Sequence, residues 1–366
     1  MPEVVASTPA EARGETVPAA AVPLSTLTTL HLGGPARRLV VATTAEQLVE
    51  AVADCDRRGE PVLVLGGGSN LVVGDDGFDG TVVRVASRGV VLDDLSDCAG
   101  ATVTVAAGEP WDALVATTVE RGWVGLEALS GIPGLTGASP IQNVGAYGAD
   151  VSQTIASVRT WDRHERAQRT LPAAACAFGY RSSRFKSEPG RHLVLSVTFQ
   201  LELGTLGAPV RYAELARALG VEPGGRAPAG AVRDAVLGLR AGKGMVLDES
   251  DHDTWSAGSF FTNPVLDADR AATLPEDAPR FPQPDGRVKT SAAWLIERAG
   301  FPRGFGEPPA TVSTKHTLAL TNRGGATTTQ LLSLASTIRD GVQRRYGVVL
   351  EPEPQLVGCA LAPAAG

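Results

Sequence analysis

Ser130-Gly131-Ile132-Pro133-Gly134-Leu135-Thr136-Gly137-Ala138-Ser139-Pro140-Ile141-Gln142-Asn143-Val144-Gly145-Ala146-Tyr147-Gly148 holds five glycines and two prolines in nineteen residues. That density forbids a long helix or a central strand. Ile132, Leu135, Ile141, Val144 and Tyr147 are too apolar for a solvated linker. The run therefore reads as an ordered loop that brings backbone N–H groups and the Gln142 and Asn143 amides close to something flat or anionic. Long ordered loops without secondary structure are uncommon and are usually functional. A glycine-rich crossover that only packs is the plainer alternative.

A second glycine run stands upstream. Pro61-Val62-Leu63-Val64-Leu65 reads as a buried strand and leads into Gly66-Gly67-Gly68-Ser69-Asn70. Three glycines permit positive φ and close ligand approach, and successive N–H groups form an anion-binding nest. No Gly-Lys-Ser/Thr closes a Walker loop, and Leu71 breaks the GxGxxG pattern. A hairpin turn is the alternative for this run taken alone. Two such loops in one chain suit a dinucleotide with a planar head, one holding the pyrophosphate and the other lining the ring.

The rest of the chain sets limits. Its 366 residues predict two or three domains, and 43% hydrophobic with 20% charged residues is ordinary globular composition. The net charge of −7 and the lack of a basic stripe argue against nucleic acid as a partner. No apolar run reaches the roughly 20 residues of a membrane span. Residues 1–21 read as a disordered leader. Cys55, Cys98, Cys176 and Cys359 are scattered and form no CxxC pair, which predicts reduced thiols, a cytoplasmic location and no metal site.

Local patterns predict a helix opened by Thr44 with capping-box spacing to Gln47 and stopped by Gly59. They predict strands at 71–73, 81–85, 102–106, 157–161 and 348–350, and a helix over 109–121. A strand over 193–203 alternates Leu193, Leu195, Val197, Phe199 and Leu201 with polar neighbours. A last helix spans 328–345. Residues 220–230 read as a low-complexity hinge or insertion, and Asp248–Asp253 as a solvated acidic loop. The fold class is α+β.

Taken in order, Gly66–Asn70, Gly131-Ile-Pro-Gly134, Pro140–Gly148, Tyr180-Arg181-Ser182-Ser183-Arg184-Phe185-Lys186, Ala257-Gly258-Ser259-Phe260-Phe261-Thr262-Asn263-Pro264, Lys289–Glu297 and Leu350-Glu351-Pro352-Glu353 resemble the UDP-N-acetylenolpyruvoylglucosamine reductase (MurB) family. The resemblance covers about residues 24 to 358. It implies a two-subdomain FAD-binding, PCMH-like fold plus a third α+β substrate-binding domain. The implied boundaries are 22–88, 89–235 and 236–347, with 348–366 returning to the first. It also implies NADPH-dependent reduction of UDP-N-acetylglucosamine enolpyruvate, in peptidoglycan precursor synthesis, by a monomer.

By motif position, the resemblance implies FAD contacts from Gly66, Gly67, Gly68, Ser69, Asn70, Ser130, Gly131, Pro133, Gly134, Gly137, Ala138, Gln142, Asn143, Gly145, Ala146 and Tyr147. Related flavoproteins with covalent FAD carry a histidine in the glycine loop; Gly66–Asn70 has none, so non-covalent FAD is expected. Arg181 is implied as the stabiliser of a carboxylate whose charge grows, a task suited to a planar guanidinium. Ser259 is implied as proton donor, and Glu353 as a third catalytic group with a raised pKa. Without the motifs, Arg181 reads as a surface ion pair, Ser259 as a loop hydrogen bond and Glu353 as a charged tail residue. Pro354 departs from the small branched residue more usual there. Tyr212, in Val210–Leu215, marks the subgroup whose tyrosine loop folds over the substrate. Tyr212, Lys243 and Asn263 are implied at the diphosphate. Arg298 stands where relatives often have glutamine, which leaves its part in the substrate site open. Two other readings remain: another flavin oxidoreductase of this architecture, and a UDP-sugar-binding protein without catalysis.

Overall fold

The structure is a computed structural model that describes residues 3–4, 16–18 and 22–364. The expected leader at 1–21 lies outside the described residues except for two short strands, Glu3–Val4 and Thr16–Pro18. The chain divides into two compact α+β units. The first comprises Met1–Ala19, Arg37–Gly67 and Asp79–Ala241; the second comprises Ala20–Ala36, Gly68–Phe78 and Gly242–Gly366.

The first unit is built on an antiparallel sheet of order Glu3–Val4, Val90–Ser96, Gly100–Ala106, His192–Leu203, Ile155–Asp162, Ala167–Pro172, with Trp123–Val124 beside the end of His192–Leu203. In its central strand Val197 faces Val105 on one side and Val158 on the other. The alternation read from sequence holds only in the second half, where Gln200 and Glu202 are exposed. In the first half Val194 and Ser196 are buried as well, because both sheet faces are covered there. Such a strand cannot show a clean period of two.

The helix Ala45–Arg58 begins and ends as its sequence dictates. Thr44 accepts a hydrogen bond from the Gln47 amide, and Gly59 closes the helix at φ 64°. The Gln47 side chain reaches past the cap to the Thr43 amide at 2.9 Å, so the expected box is displaced by one residue. Val62–Leu65 runs parallel to Phe78–Val85, and its end delivers the chain to Gly66.

The stretch 220–230 is an ordered loop, which corrects the hinge reading. Gly224 N–H donates to Val210 O at 2.7 Å, and Val210 N–H donates to Gly225 O at 2.8 Å. It joins the helices Ala213–Leu219 and Ala229–Gly242 over a small core of Val210, Leu215, Ala216, Ala227, Val232 and Val236.

The second unit packs the helices Ala292–Arg298 and Thr328–Tyr346 around Phe260, Phe261, Leu295, Ile296, Leu331 and Ile338. Residues 348–350 are not a strand, contrary to expectation. Val348 and Leu350 pack into this core, an isolated antiparallel bridge joins Pro352 to Phe261, and a strand forms only at Gln355–Val357, parallel to Leu71–Val73. Pro352 and Pro354 lack the N–H groups an earlier ladder would need.

The acidic stretch 248–253 is only partly solvated, a second correction. Asp248, Glu249 and Ser250 are exposed, but Asp251 pairs with Lys315 at 2.5 Å and Asp253 is 4% exposed. Among the described residues no helix is long and apolar enough to cross a membrane.

Candidate active site

In the first unit the two glycine loops pass backbone against backbone. A Cβ on Gly67 would lie 2.7 Å from Gly134 Cα, so no side chain fits between them. One at Gly66 would meet only Leu135 Cδ1 at 3.7 Å, an ordinary contact. The next residue, Gly68, belongs to the second unit. It sits at φ 62°, and a Cβ there would lie 2.0 Å from Leu27 O. Thr29 N–H donates to Gly68 O at 3.2 Å. The segment around Leu27–Thr29 thus supports the loop, a role the sequence reading missed. Its only signal was Gly33-Gly34-Pro35 just downstream.

The long loop is held open by its neighbours. Gly131 N–H donates to Asp112 Oδ1 at 2.6 Å, and Arg233 grips the same carboxylate at 2.7 and 2.8 Å. The Arg233 hydrogen bond holds the Asp112 carboxyl below the usual range. Trp111 N–H donates to Gly134 O at 3.1 Å, and Gly137 N–H donates to Ala107 O at 2.8 Å. Ser130 is fully buried and its hydroxyl donates to Glu127 O. Pro133 is half-buried and Ala138 exposed. Asp112 and Arg233 lie in none of the motifs quoted above and stand 121 residues apart, so sequence reading did not find them.

Asn143 spends its side chain on the loop itself. Its Nδ2 donates to Gly179 O at 3.1 Å, and its Oδ1 accepts from Ser152 N–H at 3.1 Å. The expectation that both loop amides face outward therefore narrows to Gln142, whose Oε1 accepts from Lys186 Nζ at 3.5 Å. Arg181 Nη2 donates to Gly145 O at 3.0 Å, next to half-buried Ala146. Tyr147 meets Tyr212 edge to face at 5.5 Å. Asn143, Tyr147 and Arg181 all take positive φ, near 50°. Non-glycine residues in that region cost of order 1–3 kcal/mol each and concentrate at ligand sites. Half-buried Arg240 lies close to Tyr147, and desolvation lowers its guanidinium pKa against the opposing pull of Tyr147 and Asp112.

In the second unit three distant segments come together at Ser259. Gly258 turns the chain at φ 73°, and Ser259 bridges to Ala319. Phe260 N–H donates to Leu318 O at 2.7 Å, and Glu353 N–H donates to Phe260 O at 2.8 Å. Asn70 Nδ2 donates to Glu353 O at 3.5 Å, and Gln355 N–H donates to Asn70 O at 3.0 Å. Fully buried Phe260 and Phe261, 5.1 Å apart, anchor this layer, while Ser259 and Glu353 stay half-exposed. Asn263 Oδ1 accepts from Ala292 N–H at 2.9 Å and so caps the helix Ala292–Arg298. Half-buried Lys243 directly follows Ala229–Gly242. Arg298 pairs with Asp277 at 2.9 Å, with both side chains more than half exposed, which gives it a surface role here.

A flavin dinucleotide fits the chemistry of these loops. The wall at Gly67 and Gly134 is bare backbone, suited to close approach by a pyrophosphate or ring. Neither loop contains the His or Cys that a covalent flavin bond would use.

Residues 36–170 match the FAD binding domain family, and residues 249–357 match the C-terminal domain of UDP-N-acetylenolpyruvoylglucosamine reductase. The UDP-N-acetylenolpyruvoylglucosamine reductase of Cutibacterium acnes is 60% identical over 362 residues, covering 98% of this chain and 94% of that one. The enzyme of the same name from Streptomyces avermitilis is 56% identical over 350 residues, covering 93% and 94%. The crystal structure of UDP-N-acetylenolpyruvylglucosamine reductase (MurB) from Thermus caldophilus superposes with a TM-score of 0.63 at 25% identity, covering 94% of this chain and 99% of that one. With its α+β architecture, its side-chain-free cradle and similarity that runs along nearly its whole length, the chain belongs to the UDP-N-acetylenolpyruvoylglucosamine reductase family of FAD-dependent oxidoreductases.

Proposed function

We propose that the protein reduces UDP-N-acetylglucosamine enolpyruvate to UDP-N-acetylmuramate with NADPH, as a cytoplasmic monomer supplying peptidoglycan precursors. FAD, once bound without a covalent link, would supply hydride chemistry with NADPH as the electron source. The reading divides the chain at 22–88 with 348–366, 89–235 and 236–347.

The remaining work falls to side chains. Hydride addition to the terminal alkene carbon leaves negative charge on the neighbouring carbon, spread into its carboxylate. Arg181 grips that carboxylate and holds it as the charge grows. Its hydrogen bond to Gly145 O, in the long glycine loop, supports that reading. Ser259 Oγ gives its proton to the carbanionic carbon, which is basic enough to take it from an alcohol. Glu353 follows in the neighbouring segment and, in its protonated form, donates a hydrogen bond to the enolate. Tyr212 and Lys243 take the diphosphate, and the Asn263 amide hydrogens complete that contact while its oxygen caps a helix. Arg298, ion-paired with Asp277, stays in the substrate set with its contact open.

One observation carries the reading. The Glu353 N–H to Phe260 O bond sets the glutamate-bearing segment against the serine-bearing one, 93 residues apart in sequence. Stopped-flow of the FAD-loaded protein tests it in two halves. Ser259→Ala is expected to keep flavin reduction by NADPH and to slow reoxidation by the enolpyruvyl substrate roughly 10²–10³-fold. Arg181→Lys is expected to lose most activity, since an ammonium cannot grip a carboxylate bidentately. Wild-type reoxidation in Ser259→Ala would remove the donor assignment. NADPH oxidation that ignores the UDP-sugar would remove the reading as a whole.

A further inference from the structure

Asp253 is a buried carboxylate that the proposed chemistry does not use. Its Oδ1 accepts from Ser313 Oγ at 2.9 Å and Thr314 N–H at 2.8 Å, and lies 2.9 Å from Arg323 Nη1. Its Oδ2 accepts from Thr314 Oγ1 at 2.6 Å. Burial opposes its charge, but the Thr314 and Ser313 hydrogen bonds and Arg323 hold the carboxyl below the usual range. A buried ion with this many partners dictates geometry, because moving any one of them leaves charge unmatched.

What it dictates lies next to Ser259. Ser313 N–H donates to Ala319 O at 2.8 Å, and Ser313 Oγ accepts from Lys315 and His316 N–H, so Ser313 closes the turn 313–319. That turn presents Leu318 O to Phe260 N–H and pairs Ala319 with Ser259. Asp253 also begins the segment that ends in Ser259. In its successor Thr254 the hydroxyl donates to Asp248 O and the backbone N–H to Asp251 O, each at 2.8 Å. Trp255 then makes tilted ring contacts with His31 and His252, with centroids 4.0 and 4.2 Å away. The carboxylate thus ties together the two segments that meet at the serine, 253–259 and 313–319.

We infer that Asp253 is a positioning residue, which fixes the 313–319 turn and through it the direction of the Ser259 hydroxyl. The inference rests on Ser259 as the proton donor. A donor hydroxyl displaced by an ångström loses rate without losing substrate binding.

A double-mutant cycle on the FAD-loaded protein tests it. Asp253→Asn keeps the shape and one acceptor but removes the charge. It is expected to slow enolpyruvyl-dependent reoxidation about 10- to 100-fold, with KM and flavin reduction by NADPH unchanged. In a Ser259→Ala background the same substitution is expected to cost nothing more, because there is no hydroxyl left to aim. Thr314→Val, which removes only the Oδ2 donor, goes through the same cycle and decides the matter if Asp253→Asn does not fold. Equal losses in both backgrounds, or a wild-type reoxidation rate in the single variant, would overturn the inference while leaving the donor role standing. Full activity in Ser259→Ala would instead remove the donor reading, and this inference with it.

Discussion

Single glycines in the cofactor loop differ sharply in what they tolerate. Gly66 has ordinary space for a methyl group, whereas a Cβ at Gly67 would press into Gly134 Cα at 2.7 Å. Backbone cannot yield as a flexible side chain can, so the loops must part or the residue must stay glycine. We predict that Gly66→Ala retains FAD. Gly67→Ala, at an overpacking cost of about 1–3 kcal/mol, should lose flavin affinity roughly tenfold or more. The flavin-to-protein absorbance ratio after gel filtration reads the difference. Equal flavin content in the two variants would mean that the loops do not meet as described.

Elements, too, are decided by their surroundings as much as by their own preferences. The helix Thr328–Tyr346 is well specified locally, with a full Thr327/Gln330 capping box and Gly347 in the left-handed region. Its interior Gly341 would on propensity alone favour replacement by alanine, a gain of about 1 kcal/mol. A Cβ there would lie 2.3 Å from the Phe301 ring, which packs into the same core. The ring must move or the helix must shift, and both cost more than propensity returns. Gly341→Ala is therefore expected to destabilise the protein by about 1–3 kcal/mol. A denaturant midpoint at or above the wild-type value would show that Phe301 has room to rotate.

For the whole molecule, the net charge of −7 suggests a chain relieved by mild acid, and the buried carboxylates oppose that. Asp162 is 2% exposed, grips Arg191 and accepts from the His164 and Glu165 amides. The Arg191 hydrogen bond is the main reason its pKa falls from 3.8 to about 2. Because the folded pKa lies below the unfolded one, this stabilisation is present in full above the unfolded value. It is lost as pH falls through the folded value. Asp112 and Asp253 are shifted in the same direction. We predict a melting temperature that holds at mildly acidic pH and drops as pH falls from about 4 to about 2. Asp162→Asn should melt lower at neutral pH and lose part of that drop. An unchanged acid limb in the variant would assign the acid sensitivity to other groups.

Sequence alone determined the features whose causes are local. Thr44 and Gly59 bound a helix, an apolar run before three glycines makes a strand and a loop, and the ordered motifs identify the family. The same local view misjudged Val348–Leu350 and the acidic stretch ending at Asp253, since apolar or charged composition does not say what lies opposite. Tertiary structure alone decided that Gly67 meets Gly134, that Asp112 and Arg233 brace Gly131, and that Asp253 reaches the turn beside Ser259. Each of these depends on backbone positions brought together over tens of residues by the burial of a shared core. No periodicity or cap along the chain records which distant groups that burial makes neighbours.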